Sequence, residues 1–189
     1  MKESEILQYL SETGALLKGH FLLRSGLHSD QYFQGALVLQ HTLIAATLCA
    51  ALAEPWQEWA IETVISPAIG GIIVGQELGR ALGIKAIFAE KDENSNLLLR
   101  RGFCLKAGEK VLIAEDVVTK GGRVQQTIDL VRAHGAVPVG VATMVDRSAG
   151  NVDFGIPFRS LLKLNLPTFA PENCPLCQKG LPIDKPGSK

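Results

Sequence analysis

Apolar residues fall along this chain in two rhythms. At the start, Ile6, Leu7, Leu10 and the pair Leu16-Leu17 recur at helical spacing behind Ser4, a residue suited to capping a helix. Gly14 stands inside that run as an early stop before Gly19. Residues 20–34 change to strand, turn and strand, with Phe21-Leu22-Leu23 and Tyr32-Phe33 flanking the turn signals Ser25-Gly26 and His28-Ser29-Asp30. Residues 42–53 form a second helix, which Pro55 interrupts or ends.

Beyond residue 60 short apolar strands and helices alternate. Strands are expected at 63–66, 85–89, 111–114 and 138–145, with helices over about 70–82 and 122–134. The polar stretch 91–96 reads as a mobile loop, and 97–101 returns as a strand. This alternation predicts an α/β fold, a parallel sheet flanked by helices on both faces. Ligands of such sheets gather at the carboxyl ends of the strands. The chemistry-bearing segments fall there: 67–71, Glu90-Lys91, 115–123 and Asp146-Arg147.

Composition narrows the class. A chain of 189 residues, 47% hydrophobic, fills one domain and does not need two, so residues 1–189 are read as a single unit. Lys plus Arg equals Asp plus Glu at 19 each, which gives no basic field for nucleic acid or a membrane surface. The acidic start and the absence of a long apolar run point to a cytoplasmic protein without a secretory signal. Of the four cysteines, Cys49 and Cys104 are isolated, so no disulfide framework is expected. Cys174-Pro175-Leu176-Cys177 is half of a zinc site without a second pair at suitable spacing, and reads as a structural turn of a tail over 170–189.

The densest chemistry lies in one run: Glu115, Asp116, Val117, Val118, Thr119, Lys120, Gly121, Gly122 and Arg123 follow the apolar strand and open a helix. Two acids at a strand end accept hydrogen bonds from vicinal hydroxyls. The loop after them offers backbone N–H groups, a hydroxyl and two cations to a phosphate. Such a site holds both ends of a ribose 5-phosphate. A second strand-to-helix junction, Ala68-Ile69-Gly70-Gly71, has free amides for another anion. Lys91, Arg100 and Arg101 supply positive charge in the loop 90–101. Arg147, at the end of the last strong strand, suits a carboxylate through its two-pronged guanidinium. His20 and His28 read as hydrogen-bonded structural residues, and Tyr32-Phe33 as packing or as a wall for a flat ring.

These segments resemble the type I phosphoribosyltransferases, and together with the N-terminal stretch 21–29 and the cysteine tail they resemble the orotate phosphoribosyltransferase family over nearly the whole chain. The resemblance implies a small hood built from residues 1–40 over a core at 61–147. It implies that Glu115 and Asp116 hold the ribose hydroxyls of 5-phosphoribosyl 1-diphosphate, that Thr119 to Arg123 hold its 5-phosphate, that Ala68, Ile69, Gly70 and Gly71 form the diphosphate loop, and that Lys91, Val117 and Val118 also belong to the site for this substrate. Lys91 and Asp116 become the catalytic candidates; Thr119, Arg147 and Arg24 become the orotate-binding ones. It further implies Mg²⁺ carried mainly on substrate oxygens, with no residue named as a direct metal ligand, and a homodimer in which the basic loop serves the partner's site. No nucleic acid or membrane partner is implied.

The chain departs from the family at Lys120 and Arg123, where threonine and a small residue are common. These cations either strengthen the phosphate grip or crowd it. The lysine that many relatives carry at the Gly70 position is absent, and the loop 90–101 has no histidine and no second lysine. A purine phosphoribosyltransferase and a nucleic-acid-binding regulator on the same fold are the rival readings. Arg147 argues against the first and the neutral net charge against the second.

Overall fold

The computed structural model describes residues 1–23 and 25–186. In chain order its elements are α1 (Glu3–Glu12), β1 (Leu16–Leu22), β2 (His28–Phe33), α2 (Gly35–Leu39), α3 (Thr42–Ala53), β3 (Thr63–Pro67) and α4 (Gly71–Leu82). They continue as β4 (Lys85–Lys91), β5 (Leu97–Leu99), β6 (Lys110–Val118), α5 (Gly122–Ala133), β7 (Val137–Asp146), β8 (Phe158–Lys163) and α6 (Pro175–Gln178).

Six strands form the central sheet in the order β5-β4-β3-β6-β7-β8, and β1 and β2 form a separate antiparallel hairpin. The sheet is mixed, where the sequence pattern predicted a parallel one: β5 runs antiparallel to β4 because a tight turn joins them, while the pairs β3·β4, β3·β6, β6·β7 and β7·β8 are parallel. Strict alternation divides the core. Val64, Leu112, Ala114, Ala142 and Met144 face α1, α3 and α4 on one side. Ile65, Ile87, Val111, Ile113 and Val141 face Val124, Ile128 and Val131 of α5 on the other. Successive strand residues are therefore both buried, which explains the continuous apolar runs in the sequence.

Both boundaries of the first helix differ from the sequence pattern, and two elements are not predicted by it. Helix α1 stops before Leu16 and Leu17, which lie in β1: Gly14 adopts φ +67°, the Ala15 amide donates to the Leu10 carbonyl and the Gly14 amide to the Ser11 carbonyl, a glycine-dependent helix stop. Its start is also one residue earlier than Ser4, and the Lys2 amide donates to the Glu5 carboxylate at 2.7 Å. Strand β8 and the short helix α2 carry no clear periodic signal, β8 being an edge strand with Leu162 as its single buried residue. Glycine has a packing role at Gly140, where a Cβ would stand 2.3 Å from the Trp56 ring. That close approach lets the turn after α3 lie against β7.

The hairpin of β1 and β2 is held by the tail. His28 and Phe169 exchange backbone hydrogen bonds, the Leu22 amide donates to the Asp184 carbonyl, and the Asp184 amide donates to the His20 carbonyl. The Ser29 hydroxyl donates to the Pro167 carbonyl at 2.7 Å. Among the described residues no helix is long and apolar enough to cross a membrane.

Candidate active site

The acid pair lies inside β6, four residues longer at its end than the apolar run alone indicates. Strand β3 pairs with β6 only as far as Ile113, so Glu115 and Asp116 line an open sheet end while β7 still supports them through Glu115↔Thr143 and Val117↔Val145. Their carboxylates turn back onto the backbone: the Asp116 amide donates to Glu115 Oε1 at 3.1 Å, and the Val117 amide to Asp116 Oδ1 at 2.8 Å.

Glycine backbones press against both carboxylates. A Cβ at Gly70 would stand 2.7 Å from Asp116 Oδ2, one at Gly71 2.9 Å from Glu115 Oε1, and one at Gly35 3.0 Å from Asp116 Oδ2. The missing lysine at position 70 has a physical reason here, since any side chain there displaces Asp116. Gly71 is tighter, because its Cβ would also meet the Ala114 carbonyl oxygen at 3.2 Å. Gly35, from the segment after β2, is a site position that sequence reading missed. Its only sequence signal is a glycine after a strand.

Burial pushes the Glu115 carboxyl far above the usual carboxylate range, the neighbouring Asp116 charge pushes it further, and the Arg123 cation draws it down. The acid pair thus enters the neutral range with Glu115 holding a proton. Around it, the loop from Thr119 to Gly122 turns on Gly121 at φ +73°, where a Cβ would strike the Phe154 ring at 2.9 Å. Thr119, Lys120 and Gly122 are exposed, and Arg123 donates to Gln126 Oε1 at 2.9 Å. The first amides of α5 lie free at this end of the helix.

The other glycine loop, 67–70, is anchored by the Ala68 amide donating to the Ala89 carbonyl at 2.8 Å, and it contains a cis Ala68–Ile69 peptide bond. Ile69 is 85% exposed, a large apolar side chain at the rim of the acid site. Thus Gly35 and the glycine loop 67–71 meet the two acids at the end of β6 that leads into the loop 119–122.

Arg147 follows β7 and is tied to the phosphate loop's strand, its amide donating to the Val118 carbonyl at 2.8 Å. Its side chain is half-buried and its Nε is buried with no hydrogen-bond partner among the described residues. Burial lowers the guanidinium's affinity for its proton, and the Tyr32 phenol of β2 acts in the opposite sense. The Tyr32 ring packs on Phe21 at 5.8 Å between centroids. A desolvated cation without an acid partner has its natural complement in an anionic ligand. Arg24 lies outside the described residues.

The basic loop is a short turn between the paired strands β4 and β5. Lys91 belongs to β4, and the turn after it is closed by the Asp92 carboxylate, which accepts the amides of Asn94 and Asn96 at 2.8 Å each. The expected mobile loop is a hairpin turn. Arg101 is engaged rather than free: it donates to both Glu90 oxygens at 2.8 and 2.9 Å and lies over the Phe88 ring. Lys91 and Arg100 are exposed, and neither forms an ion pair among the described residues. The hairpin does not bring Lys91 into hydrogen-bond contact with the acid pair. The cysteine tail lies against the β1–β2 hairpin, where the ring nitrogens of His20 and His28 and the sulfurs of Cys174 and Cys177 all lie within 4.8 Å of one another.

Comparisons with known proteins give the family and the fold. The phosphoribosyl transferase domain family matches residues 38–170. An orotate phosphoribosyltransferase of Carboxydothermus hydrogenoformans is 51% identical over 98% of this chain and 97% of its own length. The crystal structure of orotate phosphoribosyltransferase from Aeropyrum pernix superposes with a TM-score of 0.74 at 24% identity, covering 84% of this chain and 93% of the other. An adenine phosphoribosyltransferase from Rhodothermus marinus superposes at 0.66 with 22% identity, covering 86% of this chain and all 100% of the other. Fold is therefore shared across bases and does not choose between them.

Proposed function

Because the chain belongs to the phosphoribosyl transferase family, we propose that it is an orotate phosphoribosyltransferase. In this reading it transfers the phosphoribosyl group of 5-phosphoribosyl 1-diphosphate to N1 of orotate, releasing diphosphate and orotidine 5'-phosphate for pyrimidine synthesis in the cytoplasm. The observation that carries the choice of base is Arg147, a half-buried guanidinium whose Nε has no partner among the described residues and which stands beside Tyr32. The orotate carboxylate completes that cation through a charge-assisted hydrogen bond, and Tyr32 walls the flat ring. Adenine has no carboxylate to offer.

Breaking the C1–O bond leaves positive charge on the ribose and adds negative charge to the diphosphate. The work is electrostatic and positional, and it requires no covalent enzyme intermediate. Asp116, with an oxygen facing Gly70 and Gly35, orients the ribose hydroxyls. Glu115 donates through its retained proton or accepts once ligand charge arrives. Thr119 to Arg123 and the α5 amides fix the 5-phosphate, and the 67–70 amides meet the diphosphate. Lys91, carried out on the hairpin, is assigned to the diphosphate of a second copy's site in a homodimer. The all-oxygen donors of the acid pair suit a hard cation, so Asp116 and the substrate oxygens would hold Mg²⁺, which screens the diphosphate charge.

The test is the loss of orotate absorbance on adding 5-phosphoribosyl 1-diphosphate and Mg²⁺, with adenine, hypoxanthine and uracil as alternative bases. Turnover of orotate alone supports the reading. Turnover of a purine base, or none with any base, refutes it.

A further inference from the structure

The hood and the tail meet at a cluster outside the acid site. His20 from β1, His28 from β2, and Cys174 and Cys177 at the start of α6 place their ligand atoms within 4.8 Å of one another. Cys174 Sγ and Cys177 Sγ each lie 3.6 Å from His20 Nε2, Cys177 Sγ lies 3.3 Å from His28 Nδ1, and the two ring nitrogens are 2.9 Å apart. A tetrahedral zinc with Zn–S of about 2.3 Å and Zn–N of about 2.0–2.1 Å has N···S edges of about 3.6 Å and an N···N edge of about 3.3 Å. The two sulfur distances to His20 Nε2 match that edge, while Cys177 Sγ···His28 Nδ1 and the nitrogen pair are about 0.3–0.4 Å shorter than theirs.

Three further features fit a metal. The His20 ring accepts no competing role at Nδ1: that nitrogen lies 2.9 Å from the Leu181 carbonyl, an N–H donation that leaves Nε2 as a lone pair aimed into the cluster. Both cysteines are free thiols, not a disulfide. His20, His28 and Cys174 are buried, at 5%, 7% and 0% exposure. Two thiolates and two neutral imidazoles around a divalent ion sum to zero charge, which is the arrangement burial tolerates best. A hydrogen bond between the two rings satisfies the histidines alone and gives no reason for both sulfurs to converge on them.

We propose that His20, His28, Cys174 and Cys177 bind one structural zinc ion that fastens the C-terminal tail to the β1–β2 hairpin. Mixed thiolate and imidazole donors in a closed tetrahedron select zinc over magnesium or calcium. The ligands come from positions 154 residues apart in the chain, so the ion closes a long loop and reinforces the backbone bridges at Phe169 and Asp184. It stands apart from the acid pair, and its role is to hold the hood that carries Tyr32.

The experiment uses the full chain purified under reductant, reconstituted with zinc and desalted, with metal measured by mass spectrometry. One zinc per chain is expected, released when a mercurial reagent titrates the thiols. Replacing zinc with Co²⁺ should give intense visible bands and a near-ultraviolet thiolate charge-transfer band. Cys177→Ser should lose at least about tenfold in affinity, as removal of one ligand does, while Cys104→Ser keeps full occupancy. Zinc below about one tenth per chain in the wild type, a Co²⁺ spectrum without the thiolate band, equal retention by Cys177→Ser, or a Cys174–Cys177 disulfide in protein made in a reducing cytoplasm would each overturn the proposal. The wild-type stoichiometry and the Co²⁺ spectrum decide the matter even if Cys177→Ser fails to fold.

Discussion

The two halves of the candidate site are built on opposite principles. The side assigned to phosphate in the proposed function comes from contiguous sequence: β6 runs straight into its acids, its loop and α5, and what it offers a ligand is mainly backbone amides and glycines. The base side is assembled from distant places, with Arg147 after β7 set beside Tyr32 from the hairpin near the N-terminus. One half is crowded to the point that a methyl group does not fit at Gly71. The other keeps an unsatisfied cation. Tight backbone geometry suits a group common to every family member, and a spare charge suits the part of the ligand that distinguishes them.

The largest effect that sharpens this contrast is Asp116→Asn, which should lower kcat by about 10²–10³-fold, by analogy with removal of a preorganised transition-state group, with little change in melting temperature. Steady-state kinetics at saturating substrates check it. Next is Gly71→Ala, whose Cβ would overpack Glu115, Ser66 and the Ala114 carbonyl. A cost of about 1–3 kcal/mol is expected in binding of 5-phosphoribosyl 1-diphosphate, read by calorimetry. Gly70→Ala should do less, because only the far end of the Asp116 side chain has to move. If the order of the two glycines reverses, the account of the crowded half fails.

A smaller effect concerns stability. The folded chain keeps the Glu115 proton that the unfolded chain releases, so the folded state binds more protons between the usual carboxylate range and about 9. Stability should fall as pH rises through that window. Glu115→Gln should remove this slope, matching the wild type near pH ~5 and melting at a higher temperature than the wild type near pH ~8. Thermal scans across pH measure it, and an unchanged slope would contradict the buried protonated acid.

The same contrast explains what was legible in the sequence. The strand, acids, loop and helix at 111–134 could be read because all of their chemistry is local. The sheet's alternating layers could be read for the same reason. Gly35 against Asp116 and Tyr32 beside Arg147 depend on how the hairpin folds over the sheet, and no spacing encodes that. The Leu16-Leu17 pair misled because helical spacing continues past Gly14, and only its positive φ ends the helix. Arg101 misled because its partner, Glu90, sits across a turn that sequence pattern left open.

The most direct test of the divided site is Arg147→Ala, with orotate turnover and binding of 5-phosphoribosyl 1-diphosphate measured on the same protein. A loss of about 10–10²-fold in kcat/KM for orotate is expected, the scale of a charge-assisted hydrogen bond, with the dissociation constant of the diphosphate substrate unchanged within about twofold. Equal weakening of both substrates, or orotate turnover near wild type, would contradict it.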